Sequence, residues 1–198
     1  MTHQTDAPIV HSNLSPHDRE ARELIRDVAR GEIDIDPAYQ RGSVWDVSQQ
    51  IALIRSWLLG LPTGVIILSN RANPRWTAAN GDVYETSAPV AAVVDGKQRL
   101  TAAQAWFNDE LLVPASWFKP ETITHTEGTD DGLYLRYSGL TRAGQLTFAR
   151  RARLLVCEFT TAANIADEAA IFLLVNGGGT PQTDQDVKRA NTVAIQQV

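Results

Sequence analysis

Apolar and polar residues along this chain fall into short blocks, and each change of period marks the boundary of an element. Ser15-Pro16 has the form of a helix start, a Ser cap followed by a Pro whose missing N–H is not needed in the first turn. Leu24, Ile25 and Val28 supply the apolar stripe of that helix, and Gly31 closes it. Ile33 and Ile35 alternate with Asp34 and Asp36, a strand-like pattern ended by Pro37. Asp46 and Gln49 stand at the spacing of a capping box, before a helix whose face is Val47, Ile51, Ile54 and Leu58 and which Gly60 and Pro62 stop.

Val65 to Leu68 reads as a buried strand, and residues 75 to 85, centred on Asn80-Gly81, as a hairpin, because Asn-Gly accepts the positive φ angles of a tight turn. Pro89 to Val94 is a further buried strand, leading into a helix from Lys97 to about Asn108 on the spacing of Leu100, Ala103 and Phe107. The stretch from Val113 to Gly132 has loop composition, and residues 142 to 151 have helical spacing. Leu154 to Phe159 is strand-like, Asn164 to Val175 helical, and Thr183 with Asp186 predicts a last capping box. Helices alternating with short strands make the fold class α+β (mixed α/β). Residues 1–13 read as a flexible tail and 14–198 as one domain, a size that buries a single core.

Composition narrows the function classes. With 43% hydrophobic and 21% charged residues the chain is globular, and its net charge of -5 argues against a broadly basic nucleic-acid coat while leaving room for a local basic groove. No run approaches the length of a membrane span and no signal-peptide core opens the chain, so the expected compartment is the cytoplasm of a bacterial or phage-infected cell. The single cysteine, Cys157, lies in an apolar run and is expected to be a buried structural thiol. His3, His11, His17 and His125 show no metal-ligand spacing. Of the 18 basic residues all but Lys97, Lys119 and Lys188 are Arg, which reflects either genome composition or a demand for planar donors at phosphates.

The chemistry concentrates in "VVDGKQRLTAAQAWF", residues 93 to 107, where Asp95, Lys97 and Arg99 alternate along a turn between strand and helix. A Gly at such a junction lets a ligand approach the backbone, and the first-turn N–H groups carry partial positive charge. On this reading Gly96, Lys97 and Arg99 hold phosphate, while Asp95 holds a metal ion or accepts a proton. On the other reading Asp95 caps the helix and the two cations face solvent. A second charged feature is the window from Gly132 to Cys157, which lacks any acidic residue and holds Arg136, Arg142, Arg150, Arg151 and Arg153. It is either a nucleic-acid contact, with Tyr134, Tyr137 and Phe148 stacking bases, or an ordinary basic face.

Three ordered segments, "IDIDPAYQRGSVW", "VVDGKQRLTA" and "DEAAIFLLVNGGGTPQTDQDVKRAN", resemble the ParB/sulfiredoxin-like superfamily. They are most similar to the DGQQR-motif domain at the N-terminus of GmrSD-type modification-dependent restriction enzymes. The family elements P-x-Y-Q-R-x-x-x-W, D-G-Q-Q-R-L-T and F-x-x-x-N-x-x-G-x-x-L-T fall on Pro37, Tyr39, Gln40, Arg41 and Trp45, on Asp95 to Thr101, and on Phe172, Asn176, Gly179 and Thr183. Lys97 stands where the pattern has Gln, and Gln182 where it has Leu. The likeness runs from about residue 20 to 191.

The resemblance implies a small mixed sheet flanked by helices and a nucleotide pocket. The superfamily's G-x-x-R core, here Gly96 and Arg99, binds nucleotide phosphates in ParB, sulfiredoxin and the free-serine kinases. It therefore implies an enzyme that hydrolyses a nucleoside triphosphate or transfers its phosphoryl group with Mg2+, acting in DNA modification or phage–host defence. Asp95, Gln98 and Arg99 are the expected catalytic residues, with Asp95 the metal ligand. Gly96, Lys97, Arg41, Gln40, Tyr39, Asn176 and Thr183 are the expected nucleotide contacts, and Arg142, Arg150, Arg151 and Arg153 the nucleic-acid contacts. Trp45 is a packing residue or a stacking platform. The alternative is a non-catalytic module whose nucleotide occupancy gates DNA or partner binding, as a homo-oligomer or with a separate effector protein. A nuclease is the weakest expectation, because the 198 residues hold no HNH motif.

Overall fold

In the computed structural model, residues 14, 16–40 and 44–177 are described. The first strand, β1 (His17–Glu20), runs straight into α1 (Ala21–Ala29), so the expected helix start at Ser15-Pro16 is a correction: the charged HDRE segment pairs with a neighbouring strand instead. After β2 (Ile33–Asp34) come α2 (Val47–Leu59) and β3 (Val65–Asn70). The Asp46–Gln49 capping box forms as expected, and Gly60 ends α2 at φ 71°. The buried face of α2 is Leu53, Ile54 and Trp57, with Ile51 and Leu58 partly covered and Val47 exposed, one step round from the face the spacing suggested.

The expected hairpin at 75 to 85 is two helices, α3 (Pro74–Asn80) and α4 (Val83–Thr86). Asn73 caps α3 by accepting from the Arg75 and Trp76 N–H groups, Pro74 sits at its start, and Gly81 ends it. This cap decides the conformation before the Asn80-Gly81 turn signal is reached. Then follow β4 (Ala91–Asp95), α5 (Lys97–Phe107), β5 (Val113–Pro114), β6 (Glu127–Thr129), β7 (Gly132–Leu135), α6 (Arg142–Arg151), β8 (Arg153–Phe159) and α7 (Ile165–Gly177). The loop expected over 113 to 132 contributes to a small antiparallel sheet in the order β5-β7-β6. Its strands are too short to show a period.

The main sheet has the order β1-β8-β3-β4-β2 and is mixed: β3 lies parallel to β8 and antiparallel to β4. The architecture is α+β, as expected. Alternation along β4 sends Val93 into the larger core with Leu100 and Trp106 of α5 and Leu24 of α1, and Val94 into a second cluster with Tyr39, Ala169 and Phe172 of α7. Cys157 is half-buried rather than enclosed, because its strand β8 is covered unevenly and Leu155 is exposed. The register sets Asp95, the last residue of β4, opposite Ile67, and Val65, the first residue of β3, beside Leu155. One end of the sheet thus gathers the end of β4, the start of β3 and the start of β8.

Candidate phosphate-binding site

At that end, Gly96 adopts φ 98° and caps α5, with no side chain bonded to the first turn. Asp95 is therefore not a helix cap, and its carboxylate faces Arg99 instead, Arg99 Nη1 lying 3.4 Å from Asp95 Oδ2. The same Nη1 donates to the Val65 carbonyl at 2.9 Å. A Cβ on Gly96 would lie 2.3 Å from Ile66 Cδ1 and 3.0 Å from Arg99 Nη1, and a Cβ on Gly64 would lie 3.0 to 3.2 Å from the Arg99 guanidinium. Arg99 thus packs against two glycines of positive φ, where an added Cβ would press on its guanidinium. This packing leaves Nη2 and Nε without a hydrogen-bond partner among the described residues while the side chain stays 23% exposed. A guanidinium whose position is fixed but whose donors are unspent is suited to an anion.

Lys97 does not point into solvent. Its Nζ lies 2.6 Å from Asp36 Oδ1 and 3.5 Å from the Gln40 carbonyl. Gln98 turns the other way, its Oε1 accepting from the Trp45 N–H at 3.0 Å, so it fixes the chain entering α2, and Trp45 packs against the core. Tyr39 is only 1% exposed and packs on Phe172 with ring centroids 5.6 Å apart, a position behind the site with no surface to offer a nucleotide. Gln40 is buried, donates from Nε2 to the Val94 carbonyl at 3.3 Å, and leaves its Oε1 unpartnered. Asn176 donates to the Phe172 carbonyl of its own helix at 2.9 Å. Arg41, Gly179, Gln182 and Thr183 lie outside the described residues.

Three features stand outside the family elements, two at the site and one away from it. Gly64 ends the "GLPTG" loop, and its only signal was a second Gly beyond the one that stops α2. Asp36 was read as part of an alternating strand. The third is a buried pair at the opposite end of β3, where Arg71 Nε and Nη2 donate to Glu168 Oε1 and Oε2 at 2.9 and 2.8 Å. Asp34 takes the remaining Nη1 at 3.2 Å, and Trp76 stacks on the guanidinium at 5.0 Å. Burial opposes the Arg71 charge, but the Glu168 hydrogen bonds and charge outweigh it and hold the guanidinium ionised. Burial, then the nearby Glu168 carboxylate, pushes the Tyr39 phenol well above its ordinary range.

Residues 21–193 match the family of the GmrSD restriction endonuclease N-terminal domain. The chain belongs to that family. No curated protein and no solved structure matched it. In this GmrSD-family domain the acid-free window is not a free basic face. Strand pairing brings β1 against β8, so Arg153 Nε lies 2.6 Å from Asp18 and Nη1 3.5 Å from Glu20, while Arg136 pairs with Glu127 at 2.7 Å. Arg142, Arg150 and Arg151 are exposed and form no ion pair among the described residues. The proposed stacking residues Tyr137 and Phe148 are buried core aromatics, in contact with Trp106 and Phe107, and only Tyr134 stays part-exposed, bonded to Asp131. Among the described residues no helix is long and apolar enough to cross a membrane, and no group of three or more His, Cys, Asp or Glu side chains is placed to hold a metal.

Proposed function

We propose that this domain binds a nucleoside triphosphate at the N-terminus of α5 and hydrolyses it or transfers its phosphoryl group, as the nucleotide-driven part of a DNA-restriction system. The observation that carries the reading is the Arg99 guanidinium, packed against Gly64 and Gly96 beside a helix start with no side-chain cap, with Asp95 against it. The phosphates would lie against the unspent donors of Arg99 and the first-turn N–H groups, whose partial charge favours an anion. Such a site acts by position and electrostatics, which is the main demand of phosphoryl transfer.

A magnesium ion fits only as a companion of the phosphates. Asp95 supplies one carboxylate, and magnesium at phosphate sites is commonly held by one or two carboxylates plus the phosphate oxygens. When bound it would neutralise charge developing on the transferred group. Asp95 itself either orients that ion or takes the proton of the attacking hydroxyl, and Gln98 supports the site through Trp45. The family's restriction activity makes DNA the expected partner, with exposed Arg142, Arg150 and Arg151 as contacts and Arg153 tied back by its two acids.

The test is turnover of a nucleoside triphosphate panel with magnesium, with and without DNA, in the wild type, Asp95→Ala and Arg99→Ala. Turnover that vanishes in Asp95→Ala while binding persists, and binding that vanishes in Arg99→Ala, fit the enzyme. Binding without turnover in the wild type leaves a module gated by nucleotide occupancy. Absence of binding ends the nucleotide reading.

A further inference from the structure

The cation that departs from the family pattern, Lys97, already has a partner. We infer that Lys97 is a positioning residue: its pair with Asp36 pins the turn from Asp36 to Gln40 onto the start of α5, and it does not add a contact to the phosphates. This deepens the proposed nucleotide site and rests on it only for the ligand-binding arm of the test below.

The turn is held from three directions. Lys97 Nζ grips it from α5, at 2.6 Å from Asp36 Oδ1 and 3.5 Å from the Gln40 carbonyl. Gln40 Nε2 ties it to β4 through the Val94 carbonyl, and Tyr39 anchors it in the cluster with Phe172 on α7. Its own backbone closes with the Gln40 N–H donating to the Pro37 carbonyl at 2.8 Å. The Val94 and Phe172 contacts are buried and set the depth of the turn. At the surface, where the Asp36 side chain is 58% exposed, the turn is held by the Lys97–Asp36 pair and by the Asp36 N–H donating to Asp34 Oδ1 at 3.1 Å. Of these two the Lys97 pair is the one that ties the outer side of the turn to α5, and it governs how often that side lifts from the helix.

The charges agree with this assignment. Arg99, 3.4 Å from Asp95, keeps donors free among the described residues, whereas the Lys97 ammonium is met at 2.6 Å by the Asp36 carboxylate and at 3.5 Å by the Gln40 carbonyl. The Lys97–Asp36 pair adds no net charge near the helix start. The lysine of the DGKQR motif is thus neutralised by an acid 61 residues upstream, and it gives no reason to expect a more highly charged anion at the site.

A charge swap separates the two roles. Four variants, Lys97→Met, Lys97→Asp, Asp36→Lys and the double Asp36→Lys/Lys97→Asp, are compared for amide exchange over residues 38–40 without ligand and for affinity toward a fluorescent nucleoside triphosphate with magnesium. An exposed pair is worth little, so Lys97→Met should speed exchange and weaken binding only about two- to fivefold. Each single reversal should do more, and the double swap should bring both readouts back toward wild type. A lysine on the phosphates would lose about tenfold or more on truncation, and an aspartate in its place would repel them whatever stands at position 36. Failure of the swap to restore affinity, or exchange that ignores Lys97→Asp, overturns the assignment. Should the wild type bind no nucleotide, the proposed function fails while the exchange arm still decides whether Lys97 pins the turn.

Discussion

The two ends of β3 each hold an arginine, and the fold treats them in opposite ways. Arg71, just past the end of the strand, is buried, doubly bonded to Glu168, bonded to Asp34 and stacked on Trp76. Arg99, at the start, is fixed by shape, against two glycines and on one carbonyl, and among the described residues leaves Nη2 and Nε without a partner. A guanidinium with every nitrogen bonded to a carboxylate is a structural rivet, and one with two nitrogens in reserve is a receptor. Sequence spacing cannot tell them apart, because the difference lies in what other elements bring to each end.

The comparison is easiest to break at the rivet. Arg71→Met should destabilise the fold by about 3–5 kcal/mol, since it leaves the Glu168 carboxylate buried without its partner, and Glu168→Gln by less, since Arg71 keeps Asp34 at 3.2 Å. Urea unfolding measures this, and the double change to Met and Leu should recover much of the loss if the pair serves only structure. At the receptor end, Gly96→Ala should cost about 1–3 kcal/mol for a left-handed backbone and displace Ile66 and Arg99. Gly64→Ala, whose Cβ meets the guanidinium itself, should weaken triphosphate binding more than it weakens the fold. Arg99→Met should reverse the Arg71 pattern, changing stability by less than about 1 kcal/mol while lowering affinity about tenfold or more.

The smallest effect concerns Tyr39, whose buried hydroxyl lies near the Glu168 carboxylate but makes no well-formed hydrogen bond among the described residues. Tyr39→Phe should leave stability at neutral pH unchanged or raised by up to about 1 kcal/mol. The raised phenol also carries a pH signature. Its contribution is fully present below the unfolded phenol's pKa of about 10 and is lost as pH rises above it, because only the unfolded chain ionises readily there. Wild-type stability should therefore fall more steeply above about pH 10 than that of the variant, as alkaline unfolding titrations would show.

Much of the fold was legible because its signals are local. The Asp46–Gln49 capping box, the glycine that ends α2, and the apolar strand before the charged turn all depend on residues within a few positions of one another. The hairpin failed where two local signals competed and the Asn73-Pro74 cap came first. The small sheet was invisible because strands such as Val113–Pro114 are shorter than any period. The motif named Asp95, Gly96 and Arg99, but the partners that define their roles, Gly64, Val65 and Asp36, are supplied by strand pairing and loop placement. The basic window was legible only in part for the same reason: Arg142, Arg150 and Arg151 are exposed, but Arg153 meets Asp18, 135 positions away, and Glu20, which arrive only with β1.

That last pairing has a consequence for the order in which the chain acquires structure during synthesis. β3 sits between β4, which follows it closely, and β8, which is made far later, while among the described strands β1 pairs with β8 alone. β1 must therefore wait for β8, and a nascent chain stopped before β8 would hold the Asp95–Arg99 turn on an antiparallel β3–β4 pair with one flank open. The acidic side chains of β1, unattractive for pairing with another apolar edge, keep that waiting strand from finding the wrong companion.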